Sequence, residues 1–321
     1  MKTLVNNEYY NGSLMVGGAY IIWGILPIYW KMLEAVPALE ILAHRIVWSV
    51  FFLWVLMLFQ GRIKGFLRQI RQLTGDPRSL LGVFAAGVIL NLNWGTYIWA
   101  VNHDHIVQTS LGYYINPLIS VLLGIIFLKE RLSLWQLVAF FLAAVGVLSL
   151  TIQYGAFPWV ALTLALTFGF YGLFKKLTSL DSISGLTLET MLTCIFALAY
   201  LIYLGAAGQG SFHFSWSAQS GLLFGAGVVT AVPLLLFGAG AQSLPLFVLG
   251  FLQYISPTMT LLLGTLIYHE PFTRGHLLSF AIIWIALIIF SLSKSKMLTQ
   301  MEERILSLRP KRAELKRPGQ A

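Results

Sequence analysis

Long apolar stretches separated by short polar breaks recur along almost the whole chain. A helix needs about 20 predominantly apolar residues to cross a bilayer. Runs of that length fall near 14–33, 40–60, 79–101, 106–128, 134–152, 157–176, 184–204, 219–241, 246–268 and 275–293. Segments such as Leu134 to Leu150 are continuously apolar, whereas a membrane barrel needs short strands of alternating polarity. The pattern predicts an all-α membrane protein with ten transmembrane helices. Before the first run, residues 1–13 form a polar segment with one lysine. That run is too long for a signal-peptide core and lacks a small-x-small cleavage site, so it reads as an uncleaved span. The stretch from Gly205 to Ser220, rich in glycine and serine, reads as a flexible connector.

The second pattern is an internal repeat. Laying Leu111 to Leu150 over Phe251 to Phe290, an offset of 140, puts Tyr114, Ile115 and Pro117 on Tyr254, Ile255 and Pro257. The register continues with Leu122, Leu123 and Gly124 on Leu262, Leu263 and Gly264, then Glu130 on Glu270, Leu137 on Leu277 and Phe140 on Phe280. Chance matching of leucines does not put a proline, a glycine and a glutamate in step. Because the matching segments are helices 4–5 and 9–10 of the ten, the repeat unit is five helices. An odd number makes the second copy enter the membrane upside down. The expected organisation is therefore residues 14–152 as one five-helix repeat, 153–293 as a second, inverted repeat, and 294–321 as a basic tail. Inverted repeats are the architecture by which many secondary transporters reach two alternative states around a midplane site. Duplication that merely builds a symmetric bundle is the plainer alternative.

Composition agrees with the bilayer as solvent: the 321 residues are 58% hydrophobic and only 10% charged, against about 25% charged in a soluble domain. The net charge of +9 does not indicate nucleic acid, since the basic residues sit in loops and a tail beside spans. Their distribution sets orientation instead. With the N terminus inside, 18 of the 21 lysines and arginines fall in the cytoplasm, and only Lys31, Arg45 and Arg274 remain outside. Without the tail the ratio is still ten to three. The expectation is a multi-pass protein of the cell membrane with both termini cytoplasmic. The tail, with Pro310 and Pro318, reads either as a solvated disordered end, which composition favours, or as a membrane-surface helix over 298–308. A single cysteine, Cys194, permits neither a disulfide nor a cysteine metal site within one chain.

Several strings carry a resemblance: Trp23-Gly24 and Pro27, Glu40-Ile41-Leu42-Ala43-His44-Arg45, Asn93-Trp94-Gly95-Thr96-Tyr97, and Ser110-Leu111-Gly112-Tyr113-Tyr114-Ile115-Asn116-Pro117. Leu128-Lys129-Glu130-Arg131-Leu132 and Leu188-Glu189-Thr190 extend it over roughly residues 12–293. On these the sequence resembles the drug/metabolite transporter superfamily, its EamA-type members and, within them, the RarD branch. The resemblance implies export or exchange of small metabolites or drugs, and the family label refers to chloramphenicol sensitivity.

Ionisable groups inside a bilayer are functional candidates by default. His44 and Arg45 lie about one turn into helix 2 from the outer side, and Glu189 lies similarly deep in helix 7 from the inner side. All three are candidates for coupling or gating. Against that stands a plainer reading, in which Arg45 snorkels to headgroups and His44 is hydrogen-bonded in the bundle; a short acidic chain such as Glu189 cannot snorkel far. Their opposite depths make a direct ion pair dependent on tilted or broken helices. Asn93, Trp94, Tyr97, Tyr113 and Asn116 are candidates for an aromatic, amphipathic substrate pocket. Asn93 shares a face with Tyr97. The carboxamides, with Asn91, serve equally well as glue between helices.

Pro117 and Pro257 predict kinks, and Gly124 and Gly264 predict close helix approach. Glu130 and Glu270 precede helices 5 and 10, where capping of those helices is the first reading. His103-Asp104-His105 reads as solvated loop in preference to a metal site, because three adjacent ligands rarely converge. No Walker loop, serine elbow or zinc-helix signature occurs. Neither an enzyme nor a cofactor is expected. The leading expectation is a secondary carrier of small amphipathic molecules, with the bilayer and a small-molecule substrate as partners and protons as candidate coupling ions. Oligomeric state stays open. A lipid-head-group flippase is the alternative. An embedded enzyme using His44 and Glu189 as acid and base is a third reading, weakened by their depths.

Overall fold

The computed structural model describes residues 2–73, 75–102, 106–155, 157–178, 180–213, 217–267, 274–293 and 295–307. They form helices only: α1 (Lys2–Lys31), α2 (Ala38–Phe59), α3 (Ile63–Leu73), α4 (Pro77–Asn102), α5 (Ile106–Leu128), α6 (Leu134–Tyr154) and α7 (Trp159–Leu177). They continue with α8 (Ser182–Ala206), α9 (Ala218–Ser243), α10 (Leu246–Gln253), α11 (Ile255–Leu266), α12 (Arg274–Leu292) and α13 (Lys296–Ser307). Among the described residues nine spans are long and apolar enough to cross a membrane, with α10 and α11 sharing one, and α12 supplies the tenth hydrophobic run. The ten apolar runs of the sequence thus correspond to nine long helices and the pair α10–α11.

Two shorter helices fall where the sequence reads as polar loop or tail. In α3 the apolar residues at 63, 66, 67, 70 and 73 recur at helical spacing, and Phe66 and Leu73 are buried. Its polar face ties to the N-cap of α8: Gln69 Nε2 donates to Asp181 Oδ2 at 3.1 Å, and Arg62 lies 3.6 Å from Oδ1. Burial pushes the Asp181 carboxyl up, but hydrogen bonds from Ser184 and Gln69 and the Arg62 charge outweigh it, leaving the group below the usual carboxylate range. The second short helix, α13, turns off α12 by 90°. It docks on the start of α6, where Trp135 Nε1 donates to the Leu298 carbonyl and Glu302 accepts from the Leu134 amide, both at 2.9 Å. The first part of the tail is therefore helical instead of disordered.

Helix packing follows a pattern of matched pairs. When the first five spans (α1, α2, α4, α5, α6) are set against the last five (α7, α8, α9, α10–α11, α12), most major contacts have a counterpart. The contact of α4 with α7 mirrors α1 with α9, α2 with α9 mirrors α8 with α4, and α5 with α7 mirrors α1 with α10–α11. Three contacts join a span to its own counterpart: α2 with α8, α5 with α10, and α6 with α12. Near the last crossings two equivalent tyrosines reach across. Tyr114 Oη donates to the Pro257 carbonyl at 3.0 Å, and Tyr254 Oη donates to the Tyr114 carbonyl at 3.3 Å. This arrangement is consistent with two halves related by a two-fold axis.

The prolines behave unequally. Pro257 follows a break at Tyr254 that separates α10 from α11, whereas α5 runs unbroken through Pro117. The Pro117 carbonyl instead approaches Gly250 of α10, where an added Cβ would meet it at 2.6 Å.

Glu130 corrects the capping expectation. Helix α6 is capped by Ser133 and Gln136 in a capping box. The Glu130 carboxylate reaches across to the other half, where it accepts from the Leu246 amide at 2.7 Å and the Phe247 amide at 3.0 Å at the start of α10. Pro245, the N-cap residue of α10, offers no side-chain bond. Gly124 makes room for this, because a Cβ there would lie 2.5 Å from Glu130 Oε2. Its close approach is to a carboxylate as well as to a helix. Glu130→Ala is expected to lower stability by about 1–2 kcal/mol through loss of the cap. Gly124→Ala should lose a similar amount and add little to Glu130→Ala in the double variant, as read by thermal unfolding in detergent. Glu270 and residues 103–105 lie outside the described residues.

Candidate functional site

Polar side chains inside the bundle gather at two levels, one toward each membrane face. We call the end that carries α3 and the pair Lys129 and Arg131 the basic end.

At the opposite end, the start of α2 places Glu40, His44 and Arg45. Glu40 is buried and holds the α8–α9 loop: Oε1 accepts from the Ser211 amide at 2.6 Å and Oε2 from the Ser211 hydroxyl at 2.8 Å. One turn on, His44 Nδ1 accepts from Trp48 Nε1 at 3.1 Å, so the neutral ring carries its proton on Nε2. That atom is buried without a hydrogen-bond partner and lies 3.9 Å from Glu40 Oε1. The Phe212 ring covers both His44 and Trp48, with centroids 5.1 and 5.8 Å away.

Arg45 turns to the other side of α2. Its Nε donates to Thr230 Oγ1 of α9 at 3.0 Å, and the guanidinium lies 4.8 Å from the Trp30 ring centroid and 5.5 Å from that of Trp94. Tyr97 and Tyr113, with centroids 6.5 Å apart, stand close enough to feel its charge. Tyr113 is 45% exposed, and Arg45 is half-buried. Of the residues expected to line a pocket, Trp94, Tyr97 and Tyr113 come together around Arg45. Trp30 and Thr230 join them from α1 and α9, far away in sequence.

The two asparagines bond elsewhere. Asn93 Nδ2 donates to the Leu164 carbonyl at 3.0 Å and Thr167 Oγ1 at 2.8 Å, joining α4 to α7. Asn116 is buried and accepts from Ser120 Oγ at 3.3 Å on α5 itself. In this conformation Asn93 joins two helices, whereas the bond of Asn116 stays within its own.

The second level lies toward the basic end. Glu189 Oε1 accepts from Lys175 Nζ at 2.8 Å, and Oε2 accepts from Tyr171 Oη at 3.1 Å. Lys175 is 3% exposed, Glu189 2% and Tyr171 0%. This group is closed, whereas Arg45 and Tyr113 at the other level are partly exposed. Glu189 therefore pairs neither with His44 nor with Arg45, and Lys175 is no solvated loop lysine. Only its neighbour Lys176 reaches the helix-end carbonyl of Leu244. Lys175 and Tyr171 lie one turn apart on one face of α7. Above the triad, Tyr20, Trp23, Phe168, Tyr171 and Phe237 form an aromatic plug, with neighbouring centroids 5.4 to 6.1 Å apart. A separate groove of about 580 Å³ runs beside α10 and α11 between α1 and α12, with mostly apolar walls. Tyr9, Ser13, Gln136, Thr258 and Trp284 contribute to it.

A bundle of ten hydrophobic spans with polar groups gathered at two depths is that of a multi-pass membrane protein, and its relatives make it a membrane transporter. The chain belongs to the EamA-like transporter family, whose model matches residues 11–152 and 158–292. Within it the chain falls in the RarD branch. It is 41% identical to Protein RarD of Escherichia coli (strain K12), covering 87% of this chain and 93% of that one. It is 49% identical to the uncharacterized transporter YojE of Bacillus subtilis (strain 168), over 89% and 95%. It is 44% identical to the uncharacterized transporter PA0485 of Pseudomonas aeruginosa, over 89% and 94%. A solved crystal structure sharing 17% identity has the same fold, with a TM-score of 0.65 over 89% of this chain and 98% of that chain.

Proposed function

We propose that the protein is a secondary carrier that exports or exchanges small amphipathic metabolites or drugs by alternating access. Residues 14–152 and 153–293 are its two halves, inverted with respect to each other, and the basic end and both termini lie in the cytoplasm. The observation that carries this reading is the unequal state of the two polar levels. Arg45 and Tyr113 are partly exposed toward one face, whereas Lys175, Glu189 and Tyr171 are shut beneath an aromatic plug toward the other. A carrier caught with one gate open and the other closed has this asymmetry. The mirrored helix contacts supply the means, since exchanging the packing of the two halves turns one state into the other.

In this scheme Glu189 is the coupling group. Protonating it would remove the charge that holds Lys175 and free the inner gate. Proteoliposomes given a mixed pool of amino acids and related metabolites, with and without a pH gradient, should accumulate an unchanged compound saturably and in a gradient-dependent way. Glu189→Gln should insert normally and lose the gradient dependence. Proton-driven flux that survives in this variant would exclude Glu189 as the coupling group.

The groove between α1 and α12 favours one second reading, a lipid-head-group flippase, because its walls are mostly apolar with a few polar side chains among them. Movement of labelled lipid with no uptake of any soluble compound would select it.

A further inference from the structure

Among the described residues Arg45 is a cation without a counterion. Seven residues into α2, at about 1.5 Å per residue, its Cα lies some 10 Å along the helix from the first residue. No acidic group pairs with it among the described residues, whereas His44, Arg62 and Lys175 each have one within 4.0 Å. Its protein partners are neutral: the Thr230 hydroxyl at 3.0 Å and the rings of Trp30 and Trp94. Ring contacts take up the faces of a guanidinium and leave its edges available. Of its five N–H donors, one is used by Thr230.

A charge within a membrane span is costly unless something compensates it. Snorkelling to headgroups does not supply the compensation, because Thr230, twelve residues into α9, holds the side chain inside. The planar fork suits a carboxylate bound through two parallel hydrogen bonds. The rings of Trp94, Tyr97 and Tyr113 give the rest of such a molecule an apolar, aromatic wall.

We infer that Arg45 is a binding residue for an organic anion: it anchors the carboxylate of a small acid whose aromatic or apolar body packs on Trp94, Tyr97 and Tyr113. The inference rests on the transport reading above and gives it a substrate class.

The test uses the full-length protein in nanodiscs of phosphatidylcholine, with tryptophan fluorescence and thermal unfolding as readouts. The probes are indole-3-acetate and benzoate, each against its amide. The acids should bind saturably and raise the melting temperature, with the amides at least about tenfold weaker, the ratio expected when a charge-assisted hydrogen bond is lost. Arg45→Gln should lower acid binding by about tenfold or more, whereas Arg45→Lys, which keeps the charge without the fork, should retain part of it. Without ligand, Arg45→Gln should melt no lower than the wild type, because an uncompensated charge is removed. An arginine that serves only to hold helices together would give the reverse.

Acids and amides binding alike, or acid binding that survives Arg45→Gln, would overturn the inference while leaving carrier activity untouched. Acid binding through Arg45 with no flux of any compound in proteoliposomes would sustain the anion site and sink the transport reading. Lipid scrambling that depends on Arg45, with no affinity for soluble acids, would assign the guanidinium to a lipid phosphate and overturn the substrate class.

Discussion

Lys175→Met with Glu189 left in place is expected to lower the unfolding free energy by about 3–5 kcal/mol, the cost of stranding one partner of a buried ion pair. The geometry leaves little room for relief. Glu189 is 2% exposed, its second oxygen is occupied by Tyr171, and Gly185 lies against the pair, with an added Cβ there 3.3 Å from Lys175 Nζ. Water cannot readily replace the ammonium. The double variant Lys175→Met/Glu189→Leu should recover most of the loss, because removing both charges also removes both desolvation penalties. Denaturant titration in detergent would measure the four corners of the cycle, and a coupling of several kcal/mol is expected between directly bonded groups. Equal, additive losses in the single variants would show that the two side chains do not act as a unit. The stabilised double variant should nevertheless lack gradient-dependent transport, which separates the triad's structural role from its proposed gating role.

The spans were legible because bilayer thickness fixes the length of an apolar run, and nine of the ten runs became one long helix each, the run at 246–268 being broken at Tyr254. What escaped were features that depend on tertiary contact. Lys175 and Lys176 look alike at the end of a span, and both obey the distribution of basic loop residues. Only the fold shows that one meets Glu189 fourteen residues later while the other turns to Leu244. Helix α3 was hidden by its basic residues, although the apolar positions 63, 66, 67, 70 and 73 had the period of an amphipathic surface helix. Glu130 stood in register with Glu270, but the repeat alone did not say that its carboxylate caps a helix of the opposite half. Around Arg45, three aromatic neighbours were visible because they cluster in helices 3 and 4 of the ten. Trp30 and Thr230 were not, because no local spacing relates α1 or α9 to α2.

Gly227→Ala should be the most damaging single-methyl change in α9. A Cβ at Gly227 would lie 2.2 Å from the Trp48 carbonyl carbon and 2.5 Å from the Ser49 amide nitrogen. Both are main-chain atoms, so α2 itself must move, and the cost should reach about 3 kcal/mol, the upper part of the range for overpacking. Gly221→Ala in the same helix meets nothing within 4 Å and should stay within about 0.5 kcal/mol of the wild type.

The equivalent position in the first half makes this more than a stability test. Gly87 precedes Gly227 by the same 140 residues that relate the repeats, and it faces Glu189 and Leu192 of α8 as Gly227 faces α2. There the fit is looser, with the nearest atom, Leu192 Cδ1, at 3.1 Å and Glu189 Cα at 3.5 Å. If alternating access exchanges the packing of the two halves, the tight crossing at Gly227 belongs to the state seen here, and the opposite state tightens at Gly87. Gly227→Ala should then deplete the present state and Gly87→Ala should enrich it. A thiol placed at the partly exposed Tyr113 position reports the balance, using Tyr113→Cys in a Cys194→Ala background. Labelling by a membrane-impermeant maleimide should slow with Gly227→Ala and quicken with Gly87→Ala. The same direction of change in both variants would mean that the glycines only pack helices, and that the two crossings do not trade places.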